Sequence, residues 1–395
     1  MIGSRANAYI KARLGPRNRS QVLAGQDVLL RRLRRSFRLS PALAAYADTP
    51  FADLPIIDTA RFRADFEGFN TVRLAYPQAF DAAGKTEDGH DGDLPHGLTA
   101  GFSTGTGGQA RGLFITSPDE RAVYAGYLAG KLLSPFELAT VTRIGVCLRA
   151  PSRLYERRGM RFFGLQDAGR DAAIAAFDPQ VLVAPSQVLL DLAGNAQRLA
   201  SLRHLYYGAE TLNAAERDFI TRRLGCRPDP VYQATEGFIG APCRHGTLHL
   251  NEDSFIVEPE DLGQGRFRPV ITDLQRRSQL VVRLRLDDVL QATTCACGSP
   301  LMAVRPIEGR VSDVWRWDGQ TVFPGDVEAI VQNHVPGHSR WIATGHTGGI
   351  SYACENDADA NGLETALRGF GRPLARTAYH RDMDMPKRRH VRWLP

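Results

Sequence analysis

Residues 181–224 have the sequence VLVAPSQVLLDLAGNAQRLASLRHLYYGAETLNAAERDFITRRL, which indicates the fold class most clearly. The apolar runs Val181–Ala184 and His204–Tyr207 are typical of β-strands. The stretches Gln187–Asn195 and Ala214–Leu224 have the length and periodicity of helices. Strands that alternate with helices predict a parallel sheet with helices on its faces.

The same alternation extends to the N-terminal side, where Thr142–Leu148 predicts a further strand. From residue 247 to 310, short apolar runs separated by glycine, proline and aspartate turns predict a β-barrel-like part. We therefore expect an α/β fold with a large N-terminal domain over residues 1–309. A small C-terminal α+β lid domain is expected over residues 310–395.

Local signals predict individual elements. Ser117, followed by a proline and two acidic residues, predicts the start of a helix, and Asp58 or Thr59 predicts the cap of another. Residues 81–97 are polar and rich in glycine, which predicts a surface loop. Residues 280–286 predict one strand.

Composition limits the function classes. The 395 residues are 43% apolar and 23% charged, as in a soluble globular protein of two or three domains, which excludes collagen, a disordered tail and a disulfide mini-scaffold. The net charge of +6 is accompanied by no zinc finger or RNP aromatic pair, so we expect no nucleic-acid partner. The absence of a long apolar window and of a hydrophobic leader predicts a cytoplasmic protein without a membrane span.

A glycine- and hydroxyl-rich segment forms the first candidate site. It is Ser103-Thr104-Gly105-Thr106-Gly107-Gly108-Gln109-Ala110-Arg111. Glycines let backbone N–H groups converge on an anion, and hydroxyls and a guanidinium add donors for phosphate oxygens. The segment lacks the G-x4-G-K-[S/T] pattern of a Walker A loop. Composition alone leaves an ordinary flexible loop as the alternative.

This loop resembles the T-S-G-T-T-G-x-P-K phosphate loop of the acyl-adenylate-forming superfamily, with Gly107 in place of the second threonine and Arg111 in place of the lysine. Downstream, Tyr232-Gln233-Ala234-Thr235-Glu236 resembles the Y-G-x-T-E motif of that superfamily. The resemblance implies that Tyr232 and Gln233 lie at the nucleotide, that Thr235 donates to the α-phosphate and that Glu236 holds Mg²⁺.

Three further segments follow in the order of the superfamily. Tyr207-Gly208-Ala209-Glu210 resembles the adenine-pocket segment, which implicates Ala209 and Glu210. Val282–Asp288 resembles the I-R-Y-x-x-G-D strand end, whose aspartate binds the ribose hydroxyls, so Asp288 takes that role. Glu308–Asp313 resembles the G-R-x-x-D hinge, which implies that Arg310 reaches ribose or phosphate and that Asp313 is the pivot.

The chain from about residue 50 onwards resembles the phenylacetate–CoA ligase and F390 synthetase-like branch, and within it a group of adenylate-forming enzymes of unassigned substrate. The resemblance implies ATP-dependent activation of a carboxylic acid, an aromatic one by branch preference, to an acyl-adenylate with release of pyrophosphate. Transfer to coenzyme A or to another thiol, such as that of a carrier protein, would follow. Lys387 is the candidate for the adenylation lysine on the small domain. Dimers are common in this branch, which leaves a homodimer open.

Two other functions stay open at this point. One is an adenylyltransferase of the F390 synthetase type, which leaves AMP on a deazaflavin hydroxyl. The other is a non-catalytic paralogue that binds nucleotide or zinc, since Gly107 and the residues around Lys387 depart from the usual motifs.

Cysteine spacing suggests a metal site. Cys243, His249, Cys295 and Cys297 offer three thiolates and one imidazole, a set that suits tetrahedral zinc, with His245 as the reserve nitrogen ligand. Such a closed set would have a structural role. The alternative is buried free cysteines beside a core histidine.

Overall fold

The computed structural model describes residues 2–102, 112–148, 159–195, 197–208, 212–337, 339–380 and 389–395. Within these ranges the helices are α1 (Ile2–Leu14), α2 (Arg19–Arg34), α3 (Thr59–Ala64), α4 (Phe66–Phe69), α5 (Tyr76–Glu87), α6 (Pro118–Leu132), α7 (Pro135–Thr140), α8 (Arg170–Phe177), α9 (Ser186–Gly194), α10 (Ala214–Leu224), α11 (Pro324–Val331) and α12 (Asp357–Arg368). None of these helices is long and apolar enough to cross a membrane.

The strands of the described ranges are β1 (Ile57–Asp58), β2 (Thr99–Phe102), β3 (Leu113–Thr116), β4 (Ile144–Leu148), β5 (Met160–Gly164), β6 (Val181–Pro185), β7 (His204–Gly208), β8 (Pro228–Pro230), β9 (Tyr232–Ala234), β10 (Gly237–Pro242), β11 (Leu248–Leu250), β12 (Phe255–Gly263), β13 (Arg266–Asp273), β14 (Leu284–Arg285), β15 (Asp288–Thr293), β16 (Ala303–Val304), β17 (Gly309–Arg310), β18 (Trp315–Trp317), β19 (Gln320–Val322), β20 (Trp341–His346), β21 (Gly349–Cys354), β22 (Leu374–Arg376) and β23 (Val391–Leu394).

The predicted alternation forms a five-stranded parallel sheet in the order β5-β4-β6-β7-β8. The core on one face contains Leu182 of the sheet, Leu189 of α9 and Ile220 of α10. On the other face, Tyr124 and Leu128 of α6 pack against the sheet. The prediction of a parallel sheet covered on both faces is therefore confirmed.

Helix α6 begins where the sequence predicts. The Ser117 hydroxyl accepts the N–H of Glu120, and the Glu120 carboxylate accepts the N–H of Ser117, which together form a capping box. Helix α1 can lie close against α6 because Gly126 and Gly130 have no side chains that would meet the α1 backbone. A Cβ atom at Gly126 would lie 2.1 Å from the carbonyl oxygen of Arg5.

A second, mainly antiparallel sheet of ten strands forms the other half of the large part. Its main path is β1-β14-β13-β15-β16-β11-β10-β9, while β12 pairs with β13 and β17 pairs with β15. The strand predicted over residues 280–286 is wrong in length, since only Leu284–Arg285 is a strand. Arg283 just before it has a φ of 43°, a left-handed conformation that a regular strand does not contain.

The loop predicted over residues 81–97 is also wrong in its first part. Helix α5 continues to Glu87 because Ala79, Ala82 and Ala83 are buried on one side of it, and this packing outweighs the polar and glycine-rich composition. The other predicted cap is confirmed, since the Asp58 carboxylate accepts the N–H of Arg61 at the start of α3.

The C-terminal part has a core of its own. The four strands β22-β21-β20-β23 form one sheet and β18-β19 form a hairpin. Trp315, Val327, Ala343 and Leu363 are buried together in this core. The structure thus contains a small α+β unit after Asp313, and the boundary near residue 310 stays our proposed division.

Candidate functional site

One cavity of about 830 Å³ lies where the two large sheets and the C-terminal unit meet. Glu236 and Asp288 line it from the large part, and Glu328 and His390 line it from the C-terminal unit. Two sheets and a small unit around one cavity can enclose a ligand of nucleotide size.

Tyr232 and Asp288 meet at this cavity. The Tyr232 hydroxyl donates a hydrogen bond to the Asp288 carboxylate at 2.5 Å. Burial and the neighbouring carboxylate raise the pKa of Tyr232 well above its ordinary value, so the hydroxyl stays protonated and remains the donor. Asp288 also stands opposite Arg310 in the β15-β17 register. Three residues assigned to the nucleotide by separate motifs are thus neighbours, and Gln233 lines the same cavity.

Glu236 follows β9 and is 7% exposed. Burial raises the pKa of its carboxyl, while the positive charges of Arg63 and Arg276 oppose that rise. The backbone carbonyl of Thr235 accepts a hydrogen bond from the Arg276 guanidinium at 3.0 Å. The Thr235–Glu236 pair therefore lies at the cavity wall between two arginines.

Sequence reasoning missed Arg63, Arg276 and Arg389 as cavity residues. Arginine is so frequent in this chain that none of the three stands out, and each reaches the cavity only through tertiary packing. The one available signal was the position of Arg389, two residues after Lys387.

The predicted pivot residue is almost completely buried. Asp313 is 2% exposed, and both carboxylate oxygens accept hydrogen bonds from the Arg389 guanidinium. Burial raises the pKa of Asp313, and the charge of Arg389 opposes this rise. Beside it, Asp287 accepts hydrogen bonds from Arg268 at 2.9 Å and from the Ser312 hydroxyl at 2.7 Å. The segment between the two parts is therefore held by charge pairs.

Several predicted site residues lie outside the described residues. They are the phosphate-loop residues Ser103, Thr104, Gly105, Thr106, Gly107, Gly108 and Arg111, the adenine-pocket residues Ala209 and Glu210, and the adenylation candidate Lys387.

The inner part of the cavity is apolar and aromatic. Tyr124, Tyr127 and Phe238 line it together with Val146 and Tyr206. The Tyr206 hydroxyl donates to the carbonyl oxygen of Leu132 at 2.8 Å, which directs this polar group to the backbone. Such a wall suits a flat apolar group.

The four predicted zinc ligands form a cluster. One donor atom from each of Cys243, His249, Cys295 and Cys297 lies within 4.8 Å of the other three. The Cys243 and Cys295 sulfurs are 3.6 Å apart, and the Cys297 sulfur is 3.3 Å from His249 Nε2. Among the described residues His245 is not in this cluster; its Nε2 instead accepts a hydrogen bond from Arg244.

Hydrogen bonding around the cluster suits a metal. His249 Nδ1 is 2.9 Å from the carbonyl oxygen of Leu301, so Nδ1–H donates there and Nε2 keeps its lone pair toward the sulfurs. A hydrogen bond from the Thr247 side chain is the largest cause that lowers the pKa of Cys295 to about 6, which favours the thiolate that a metal binds. The hairpin β10-β11 supplies Cys243 directly after the end of β10 and His249 from within β11.

No protein-family model matches the chain. A phenylacetate-coenzyme A ligase of Thermus thermophilus is 29% identical over 146 residues, about a third of the length of each protein. A solved 2-hydroxyisobutyryl-CoA ligase, in a postadenylation state with an acyl-AMP, has a TM-score of 0.60 and 15% identity, covering 91% of this chain and 85% of that one.

A solved anthranilate CoA ligase in complex with anthranoyl-AMP has a TM-score of 0.53 and 13% identity, covering 75% of this chain and 68% of that one. The chain therefore has the same fold as these two solved CoA ligases, with a large N-terminal part and a small C-terminal unit. The resemblance inferred from the sequence motifs is confirmed at the level of the fold.

Proposed function

We propose that the protein activates a carboxylic acid with ATP to an acyl-adenylate, releases pyrophosphate and then transfers the acyl group to the thiol of coenzyme A. The proposal is supported by the local similarity to a phenylacetate-coenzyme A ligase and by the arrangement of the cavity. The observation that carries it is that Tyr232, Glu236, Asp288 and Arg310, which come from three separate motifs, line one cavity.

The adenosine part of ATP is assigned to the Tyr232–Asp288 contact. A carboxylate can accept both ribose hydroxyls, and the Tyr232 hydroxyl orients the Asp288 carboxylate at the cavity wall. Arg310, opposite Asp288 in the strand register, supplies a positive charge for ribose or phosphate oxygens.

Glu236 fits the role of a Mg²⁺ ligand. Burial disfavours the charged form of this carboxyl, and a cation at its oxygens would restore that form. A bound Mg²⁺ would neutralise phosphate charge during adenylation. Thr235 is assigned to the α-phosphate, and the phosphate-loop residues and Lys387 are assigned to the remaining phosphates and to the transition state.

An aromatic acid is our proposed substrate class. The aromatic wall formed by Tyr124, Tyr127 and Phe238 supports this choice, since rings pack well edge to face or offset against one another.

We assign a structural Zn²⁺ to Cys243, His249, Cys295 and Cys297. Four ligands fill a tetrahedral shell, so this set leaves no position for a substrate. The oriented imidazole of His249 supports the assignment.

The function is tested by measuring pyrophosphate release from Mg-ATP with a panel of aromatic acids, followed by mass-spectrometric detection of acyl-CoA after coenzyme A is added. We expect release that depends on the acid. Asp288→Ala should lose it, whereas Asp178→Ala, which removes a carboxylate outside the cavity, should keep it.

Two outcomes would contradict the proposal. Release that requires a deazaflavin and no acid would establish an adenylyltransferase. Binding of ATP without release for any acid would establish a non-catalytic nucleotide-binding protein.

A further inference from the structure

Two oppositely charged side chains lie buried at the cavity wall without pairing to each other. Asp273 ends β13 and is 7% exposed, and Arg276 is 9% exposed. Both line the cavity. Among the described residues, no basic side-chain nitrogen lies within 4.0 Å of the Asp273 carboxylate, although the charge of Arg276 is near enough to influence it. A buried carboxylate that lacks an ion-pair partner needs another donor.

The backbone fixes one oxygen of Asp273. Its Oδ1 accepts the N–H groups of Gln275 at 2.7 Å and Arg276 at 3.1 Å. These two hydrogen bonds hold the carboxylate plane in place, so the direction of the second oxygen is also set.

The second oxygen, Oδ2, lies beside Gly237, which also lines the cavity. A Cβ atom at residue 237 would be 3.2 Å from Oδ2 and 2.7 Å from the ring of Phe255. Gly237 thus leaves open the space next to Oδ2. No described residue donates a hydrogen bond to this oxygen.

Like the Asp273 carboxylate, the Arg276 guanidinium uses only part of its hydrogen-bonding capacity within the described residues. One of its N–H groups donates to the Thr235 carbonyl, and no described residue accepts from the other guanidinium nitrogens. Arg276 is therefore attached to the Thr235–Glu236 segment, the place where the proposed reaction joins the substrate carboxylate to the α-phosphate. A substrate carboxylate there would meet a buried positive charge.

The surroundings of Asp273 are aromatic. Phe255 flanks its oxygen and Tyr127 is close by. Burial raises the pKa of Asp273, and Arg276 opposes the rise only in part. A hydrogen-bond donor from the ligand would supply the stabilisation that burial removes from the carboxylate.

We propose that Asp273 is a specificity-determining residue: the acid is an aromatic acid that carries a hydroxyl or amino group, which donates a hydrogen bond to Asp273 Oδ2 while the acid's own carboxylate lies toward Arg276. This inference rests on the proposed acid activation and adds the substituent that the site selects. An acid without a donor leaves Oδ2 without a hydrogen bond in an apolar wall, which is unfavourable.

The test is acid-dependent ATP–pyrophosphate exchange with matched benzoic acids. Each ring position carries a hydroxyl, an amino or a methyl group in turn, and kcat/KM is compared within each set. We expect a hydroxyl- or amino-substituted acid to exceed its methyl counterpart by about 10- to 100-fold, the range expected for one hydrogen bond to a charged group.

In Asp273→Asn the ratio should fall toward one. Asp178→Asn is the matched control, because Asp178 also accepts a backbone N–H, that of Ser201, but does not line the cavity, and it should keep the wild-type ratio. If Asp273→Asn does not fold, the comparison of hydroxyl-, amino- and methyl-substituted acids in the wild type tests the proposal alone.

Four outcomes overturn the assignment. Equal rates for all substituents in the wild type, or an unchanged ratio in Asp273→Asn, would refute the role of Asp273 but leave acid activation intact. A changed Mg²⁺ requirement in Asp273→Asn with an unchanged ratio would make this residue a metal ligand instead. Exchange with no acid at all would refute the proposed function as well.

Discussion

At the scale of single residues, the proposed nucleotide site depends on the hydrogen bond between Tyr232 and Asp288. Tyr232→Phe keeps the ring and removes the donor. The variant should bind ATP with an affinity lower by about 1.5–3 kcal/mol, the range for a hydrogen bond to a charged group. Isothermal titration with ATP measures this loss. Tyr352→Phe is the control, since its hydroxyl donates to Glu364 in the C-terminal unit, away from the cavity. Equal affinities in all three proteins would remove Tyr232 from the site.

Metal binding by the Cys243, His249, Cys295 and Cys297 cluster can also be tested at individual residues. Protein purified without chelator should contain about one zinc per chain, and Cys295→Ser should lose it. We expect the melting temperature of this variant to fall by about 5–10 °C, because each kcal/mol corresponds to about 2–4 °C in a protein part of this size. Cys226→Ser removes a thiol outside the cluster and should retain the metal. Metal analysis that finds none in the wild type would make the four residues ordinary core.

At the scale of elements, Glu120 connects a helix to the cavity wall. Its carboxylate closes the capping box of α6 and also accepts the N–H of Ser278 at 2.8 Å, together with the N–H of Arg277. Glu120 thereby holds the turn that carries Arg276. Glu120 thus belongs both to the capping motif that the sequence predicts and to a contact with Ser278, 158 residues further along the chain.

Glu120→Gln should lower the free energy of unfolding by about 1.5–3 kcal/mol at neutral pH. Ser117→Ala, which removes the other half of the capping box, should cost only about 1 kcal/mol. Hydrogen bonds to the charged form outweigh burial and lower the pKa of Glu120. The stability that the Glu120 carboxylate contributes is therefore fully present above pH 4.5, the ordinary pKa of a glutamate, and is lost as the pH falls through the lowered pKa.

Urea unfolding of wild type, Glu120→Gln and Ser117→Ala between pH 3 and 7 checks both statements. The difference between wild type and Glu120→Gln should shrink at the acid end. A difference that stays constant with pH would mean that the charge of Glu120 is not what stabilises the turn.

The elements also explain what could be predicted from the sequence. The parallel sheet and the caps at Asp58 and Ser117 depend on local pattern, and the structure confirms them. The end of α5 and the left-handed Arg283 depend on packing with distant segments, so local pattern gave the wrong bounds there.

The residues of the candidate site fall into the same two groups, those that local sequence pattern indicates and those that only the fold brings together. Asp288 and Glu236 could be proposed because their motifs have a recognisable order, and the Cys243, His249, Cys295 and Cys297 cluster because cysteines are rare in this chain. Arg276 and Asp273 share a turn, and Gly237 of β10 lies beside Asp273 although β10 and β13 are not adjacent in the sheet, a juxtaposition that only the fold creates. The roles of the residues outside the described ranges stay predictions.

At the scale of the whole molecule, a charge contact joins the C-terminal unit to the large part, and another holds Arg389 at the boundary between them. Arg340 of the C-terminal unit donates to Asp191 of α9 at 2.5 Å, and both side chains are about 85% buried. Arg389 pairs with Asp313 at the proposed pivot. The second contact fixes the backbone just after residues 381–388, which include Lys387 and lie outside the described residues.

This arrangement makes Lys387 the sharpest test of the mechanism. If its ammonium reaches the α-phosphate when the C-terminal unit closes, Lys387→Ala should slow acyl-adenylate formation by about 10²–10³, the scale of one preorganised charge contact to a transition state. ATP affinity should change little, because Tyr232, Glu236 and Asp288 belong to the large part. Lys387→Arg should also be slow, since a planar guanidinium does not replace a compact ammonium. Single-turnover formation of acyl-AMP measures the rate, and Lys85→Ala, a change at an exposed lysine paired with Asp81, is the control. Wild-type rates in Lys387→Ala would move the search to Arg389, whose guanidinium already lies at the cavity wall.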